Sequence, residues 1–228
     1  MNVAENIDLV RNRIAAACRK TNHSPDDIKL VAVTKTVGVE AIEEVLAGGV
    51  TMVGENRIQE AWQKFQLVES YAEWHMIGHL QRNKVKQCLR FAQTIQSVDS
   101  VRLAREIHVQ AEKLARSIEV LIRVNTSGEA SKFGFTPDEV GDALAEIAQL
   151  SRLKVKGLMT IGAFSPDEKV VRASFVRLRA LRDSLQENLL PAVELRELSM
   201  GMTNDFEIAV EEGSTMIRIG RSIFGERT

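Results

Sequence analysis

Cysteine, proline, histidine and aromatic residues are all scarce in this 228-residue chain. The two cysteines, Cys18 and Cys88, cannot build a disulfide framework or a four-cysteine zinc site. Each reads as a small buried hydrophobe in a reducing compartment. With four histidines in all, a histidine-based metal centre is not expected. Only four prolines occur, Pro25, Pro137, Pro166 and Pro191, each at an expected element boundary, and no low-complexity segment or internal repeat is visible. Aromatics make up 5% of the chain and include a single tyrosine, Tyr71. Charge of one sign is missing too: 30 basic against 31 acidic side chains leave a formal charge of -1, which argues against a nucleic-acid-binding face as the main function. No run approaches the roughly 18 apolar residues of a membrane span. The first 20 residues carry charge throughout and lack the apolar core of a signal peptide. A cytoplasmic protein without membrane association is the expectation.

What is present is alternation. Val3, Ile7, Val10, Ile14 and Cys18 recur at helical spacing, with Glu5, Asp8, Arg11, Arg13 and Arg19 on the other faces, so residues 1–22 read as an amphipathic helix that docks on something. Eight short runs rich in β-branched residues then read as strands: 30–34, 50–53, 74–77, 94–98, 118–124, 153–159, 195–198 and 215–219. Helical patterns at 39–47, 57–69, 81–90, 100–115, 137–149, 167–188 and 204–212 separate them. A chain of this length buries roughly 70–75% of its unfolded surface, enough for a full core. Eight strands separated by helices, with no linker, favour one α/β domain over residues 1–228. That domain is a single (β/α)8 TIM barrel with an extra N-terminal helix. An open doubly wound sheet stays compatible with the pattern, because periodicity does not show closure.

A barrel places functional groups just beyond the C-terminal ends of its strands, with phosphate sites often after strands seven and eight. Lys35 ends the run Leu30-Val31-Ala32-Val33-Thr34 and shares a strand face with Val31 and Val33. If that face points inward, desolvation favours a neutral, nucleophilic amine suited to Schiff-base formation; otherwise Lys35 is a strand-end lysine in solvent. Ser199-Met200-Gly201-Met202-Thr203 follows strand seven and enters a helix, with Asn204 and Glu207 spaced as an N-cap and its partner. The segment is either an ordinary capped loop or an anion cradle. Gly220-Arg221-Ser222-Ile223-Phe224-Gly225 after strand eight supplies a second such loop. Arg218, between isoleucines, points toward the expected barrel interior, where a guanidinium needs either a structural carboxylate or an acceptor on a ligand. Lesser candidates are Asn56 as N-cap or ligand contact, His79, Met159 with Thr160, and Asn125, Ser131 and Lys132 after strand five. Arg82, Lys86 and Arg90 fall at i, i+4, i+8 as a solvated or partner-docking face.

A strand-one lysine, a strand-eight arginine and phosphate cradles after strands seven and eight together point to pyridoxal 5′-phosphate (PLP). From about residue 30 to 225 the chain resembles the PLP-binding homeostasis proteins, called the YggS or PROSC family, which are similar to the barrel domain of alanine racemase. The carriers are VAVTKT (31–36), GENRIQE (54–60), WHMIGHLQRNK (74–84), GLMTIG (157–162), SMGMTNDF (199–206) and RIGRSIFG (218–225). The resemblance implies that Lys35 holds the cofactor as an internal aldimine and that Arg218 contacts the pyridine nitrogen. It further implies that Ser199, Thr203, Gly220 and the Arg221 amide hold the phosphate, with Gly201 in the same loop and Asn56, His79 and Met159 nearby.

An arginine beside the ring nitrogen keeps that nitrogen unprotonated and the ring a weak electron sink. Racemases of this barrel type add a tyrosine from a second domain, whereas Tyr71 here precedes strand three, away from any strand end. The reading is therefore a PLP carrier in vitamin B6 homeostasis without robust turnover, monomeric, passing the cofactor transiently to apo-forms of PLP enzymes. Two alternatives are a racemase-like PLP enzyme of weak or specialised activity and a cofactor-free aldolase-like barrel.

Overall fold

The computed structural model describes residues 2–21, 23–129, 133–187 and 193–225. Its eight strands are β1 (Lys29–Val33), β2 (Met52–Glu55), β3 (Glu73–Met76), β4 (Thr94–Val98), β5 (Ile118–Arg123), β6 (Leu153–Met159), β7 (Val193–Ser199) and β8 (Met216–Ile219). Each pairs in parallel with the next, and β8 returns to β1 with Val31 opposite Arg218, so the sheet closes into a barrel. Closure decides against the open sheet. The helices are α1 (Val3–Thr21), α2 (Val39–Ala47), α3 (Ile58–Phe65), α4 (Val85–Cys88), α5 (Val101–Lys113), α6 (Val140–Ile147), α7 (Glu168–Gln186), α8 (Phe206–Glu211) and α9 (Arg221–Phe224).

Two hydrophobic layers follow from the strand alternation. Outward residues of β1 and β8, Ala32, Ile217 and Ile219, meet Ile7, Val10, Ile14, Ala17 and Cys18 of α1, the face anticipated from helical spacing. Full burial of each of Ile7, Val10 and Ile14 contributes about 1.5–3 kcal/mol. Inward residues Val31, Leu121, Met159 and Met216 form a small apolar plug inside the barrel. Polar side chains share that interior: His75, Gln96, Ser199 and Arg218 are all buried.

Several element ends differ from expectation. Strand two begins two residues later than the 50–53 pattern, because Gly49 turns the chain at φ 76° and Val50 packs against the α1 layer instead of pairing. Gly54 and Glu55 thus lie within β2. A Cβ on Gly54 would sit 2.9 Å from Val31 and 3.0 Å from Ile77, so the barrel interior admits only glycine there without rearrangement. The expected helix 81–90 divides into a 3-10 turn at Arg82–Lys84 and the four-residue α4. Arg82, Lys86 and Arg90 therefore do not line one continuous helix face; all three are exposed, and Arg90 packs over Trp62. Asn204 does not cap α8. The chain turns at Met202–Asp205, Asp205 takes the N-cap position and accepts from the Met202 amide, and Asn204 accepts from Arg221. Arg57 takes the N-cap position of α3, which settles Asn56 as a bend residue and not its cap.

Candidate functional site

Lys35 stands two residues beyond the end of β1, and the loop that presents it is braced from behind. The Thr34 amide donates to the Gly54 carbonyl, and Thr36 is held at φ 60°, a conformation uncommon for a β-branched residue. The Thr36 amide donates to Glu60 Oε1. Buried Lys64 ties the brace together, donating to the Thr34 carbonyl (2.6 Å), Glu55 Oε1 (2.7 Å) and Glu60 Oε1 (2.6 Å). The Thr34 hydroxyl also donates to Glu55 Oε1 at 2.7 Å. One ammonium thus faces two carboxylates. Burial pushes the Glu55 carboxyl up; at Glu60 burial is again the largest single effect, but the hydrogen bonds from Lys64 and the Thr36 amide, with the charges of Lys64 and Arg57, together hold that carboxyl down.

Beyond the C-terminal ends of the strands lies a cavity of about 470 Å³, within the usual size for small-molecule sites. Lys35, Thr203, Arg218, Gly220 and Arg221 all line it, together with the loop 163–166 after β6. Five of the ten expected site residues therefore converge from β1, β7 and β8. A cavity of similar size, about 480 Å³, lies under α1 at the opposite end of β1, but its two lining cations, Arg11 and Lys29, are exposed, and Lys29 is paired with Glu197.

Arg218 is 3% exposed and aimed inward, as its alternation with Ile217 and Ile219 requires. Burial lowers its pKa to about 10, with Asp205 opposing the shift and Arg123 adding to it. Among the described residues no carboxylate pairs with it directly. Its guanidinium donates to Ser199 Oγ (2.6 Å) and to the Thr160 carbonyl (2.8 Å). Gly201, at φ 95°, accepts from the Arg218 amide, and a Cβ there would lie 2.6 Å from Ala209. The glycine thus lets the β7 loop close against α8.

The other expected residues lie around or beneath this cavity. Ser199 is fully buried, with its hydroxyl between Arg218 and Gln96, and it does not line the cavity. Met159 belongs to the apolar plug. Asn56 and His79 stand on the β2–β3 rim. The Asn56 backbone abuts Gly78, and His79 pairs with Asp99 (2.8 Å) and stacks on Phe133 at 4.1 Å. Asn125 lies after β5 and donates to the Glu129 carbonyl, whereas Ser131 and Lys132 lie outside the described residues. Tyr71 is 76% exposed and precedes β3, at the end of the barrel opposite the cavity.

Sequence reasoning passed over Arg123, Gln96 and the Lys64 brace. Arg123 ends β5, is 6% exposed, and sits over the Phe133 ring with Asp99 as its nearby opposite charge. The signal that singled out Arg218, a cation inside a buried strand, was available for Arg123 as well. Gln96 carried no such signal.

The cavity's donor set suits a phosphorylated aldehyde: an amine at one wall, a buried guanidinium as a fixed donor, and a hydroxyl and glycine backbone where an anion can approach. The sequence model of the family described as alanine racemase, N-terminal domain, matches residues 5–228. A protein of Aquifex aeolicus called pyridoxal phosphate homeostasis protein is 41% identical over 228 residues, covering 100% of this chain and 99% of its own length. Its Escherichia coli K12 namesake is 36% identical, covering 99% of this chain and 97% of its own length. Among solved structures, PipY of Synechococcus elongatus with PLP bound superimposes with a TM-score of 0.87 at 32% identity, over 98% of this chain and 100% of PipY. An alanine racemase of Clostridium difficile shares the fold at TM-score 0.78 and 17% identity, over 99% of this chain and 57% of the racemase. The chain accordingly belongs to the alanine racemase N-terminal domain family and, within it, to the pyridoxal phosphate homeostasis proteins.

Proposed function

We propose that this protein binds pyridoxal 5′-phosphate reversibly and takes part in intracellular vitamin B6 homeostasis, without robust turnover of amino acids. The observation that carries the reading is the convergence of Lys35, Arg218, Thr203 and Gly220 on one cavity at the strand ends. Lys35 would hold the cofactor there by its amine, which supplies Schiff-base chemistry toward an aldehyde with water as the leaving group. Arg218 would face the ring nitrogen, and Thr203, Gly220 and the Arg221 amide would hold the phosphate. Gly201 shapes the phosphate loop, Ser199 and Met159 support the site from beneath, and Asn56 and His79 edge its far rim.

A carrier without turnover is supported by the position of the only tyrosine. Tyr71 lies at the wrong end of the barrel to serve as a second base opposite Lys35. Among the described residues no helix is long and apolar enough to cross a membrane, and no cluster of metal-ligating side chains occurs. We place the protein in the cytoplasm, as a monomer that hands its cofactor to apo-enzymes by transient encounter.

The purified protein mixed with PLP is expected to absorb near roughly 420 nm, a band bleached by borohydride with the label on the peptide containing Lys35. Lys35→Ala should lose both band and label. Retention of a reducible adduct in that variant would overturn the assignment, and a lasting long-wavelength band with any amino acid would replace the carrier with an enzyme.

A further inference from the structure

The barrel axis carries a continuous line of hydrogen bonds from the cavity to the opposite mouth. Arg218 Nη1 donates to Ser199 Oγ (2.6 Å), and Ser199 Oγ donates to Gln96 Oε1 (2.6 Å). The Gln96 amide nitrogen lies 2.8 Å from His75 Nδ1 and 3.1 Å from the Met216 sulfur, and His75 Nε2 lies 3.1 Å from Glu73 Oε1. These residues come from β8, β7, β4 and β3, and all but Glu73 are essentially inaccessible to solvent.

The line has one consistent polarity, set by the group that cannot change. A guanidinium only donates, so Ser199 accepts from it and has its single hydrogen left for Gln96. The Gln96 oxygen is thereby committed to Ser199, which turns its NH₂ group toward His75 and the Met216 sulfur. His75 Nδ1 then accepts, its ring proton sits on Nε2, and that proton is donated to Glu73. The carboxylate end is stable as an acceptor: the hydrogen bond from His75 holds the Glu73 carboxyl below its ordinary range against partial burial, and Lys29 assists. Neutral packing does not require this order. An apolar barrel interior of similar volume would be as stable or more so, because buried polar chains gain little net energy.

We propose that Glu73, His75 and Gln96 are positioning residues which, acting through Ser199, fix the Arg218 guanidinium for its contact with the ring nitrogen of the bound cofactor. The inference rests on the reading that Arg218 meets that nitrogen. A side chain with several rotatable bonds at the cavity wall needs restraint from below, since the cavity side stays open. The Thr160 carbonyl restrains one guanidinium nitrogen, and the axial line restrains the other.

The test compares PLP with its 1-deaza analogue, in which carbon replaces the ring nitrogen, by equilibrium binding to wild type and Gln96→Leu. Loss of the acceptor that orients the Ser199 hydroxyl, and with it the restraint on Arg218, is expected to weaken PLP about tenfold. The same variant should change affinity for the deaza analogue less than about twofold, and the absorption maximum of bound PLP should move. Equal losses for both ligands, or no loss for PLP, would overturn the proposal. If wild type itself does not distinguish PLP from the deaza analogue, the assignment of Arg218 to the ring nitrogen fails instead, and the two failures are separable. Should Gln96→Leu not fold, the partly exposed far end decides. Glu73→Ala should weaken PLP but not its deaza analogue, and Glu73→Gln, which keeps an acceptor for His75, should restore wild-type binding. Identical behaviour of the two Glu73 variants would count against the line.

Discussion

At the end of the first strand, one ammonium serves two carboxylates and a backbone carbonyl, and the loop carrying Lys35 depends on it. Replacing Lys64 by methionine leaves Glu55, with no solvent exposure and with Oε2 unpartnered, as an uncompensated buried carboxylate. The expected cost at neutral pH is about 3–5 kcal/mol in urea unfolding. Its pH dependence has a definite sign. Burial raises the folded-state pKa of Glu55, so the favourable protonated form is fully available below the unfolded value, roughly 4.3, and is lost as pH rises through the folded value. The deficit of Lys64→Met should thus shrink from pH 8 to pH 5, and a deficit that grew on acidification would reverse the argument. At this scale Lys35 and Arg218 were legible because each is a cation in an apolar run whose alternation gives it a direction. Gln96 and the Glu55–Lys64 pair were not, since their meaning lies in partners from other strands and helices.

Among the elements, α1 was read from its apolar spacing, and the structure docks that face on β1, β8, α2, α8 and α9. Ion pairs of Arg13 with Glu207 and of Lys20 with Glu211 flank the contact. These are partly exposed and screened, so apolar burial carries most of the docking energy. Ile14→Ala is expected to lower unfolding stability by about 2–4 kcal/mol, the range for emptying a packed isoleucine site. Because α1 also backs β8 and the α9 turn, the variant's stability should recover in part when PLP is added, by mass action on the folded state. A loss below about 0.5 kcal/mol would mean that α1 is peripheral to the fold. Element ends were less legible than element identities. The slip of β2 and the splitting of residues 81–90 both arise where a turn conformation or a neighbouring layer, not periodicity, determines where pairing begins.

For the molecule as a whole, closure of the sheet removes both edges, and with them the usual route to strand-to-strand association. Of the large exposed apolar side chains, Leu67 and Tyr71 share the α3–β3 connection, while Leu9 lies on α1, Leu114 follows α5 and Phe164 follows β6, so they do not lie on one contiguous stretch of chain. Light scattering at micromolar concentration is expected to return the monomer mass of 25.4 kDa with or without PLP, and a dimer mass would overturn the single-barrel reading of the functional unit. Amino-acid order by itself determined the alternation of eight strands with helices, the inward direction of Arg218, and the places of Lys35 and of the loops after strands seven and eight at the strand ends. Those features are periodic or local, and a period of two or 3.6 residues is written directly in the chain. Only the tertiary structure decided that the sheet closes, that the Ser199 hydroxyl joins Arg218 to Gln96, and that a directed line of hydrogen bonds joins the two mouths of the barrel. These depend on which side chains from separate strands meet at one level of the axis. Strand pairing and register set that level, and neither composition nor periodicity encodes it.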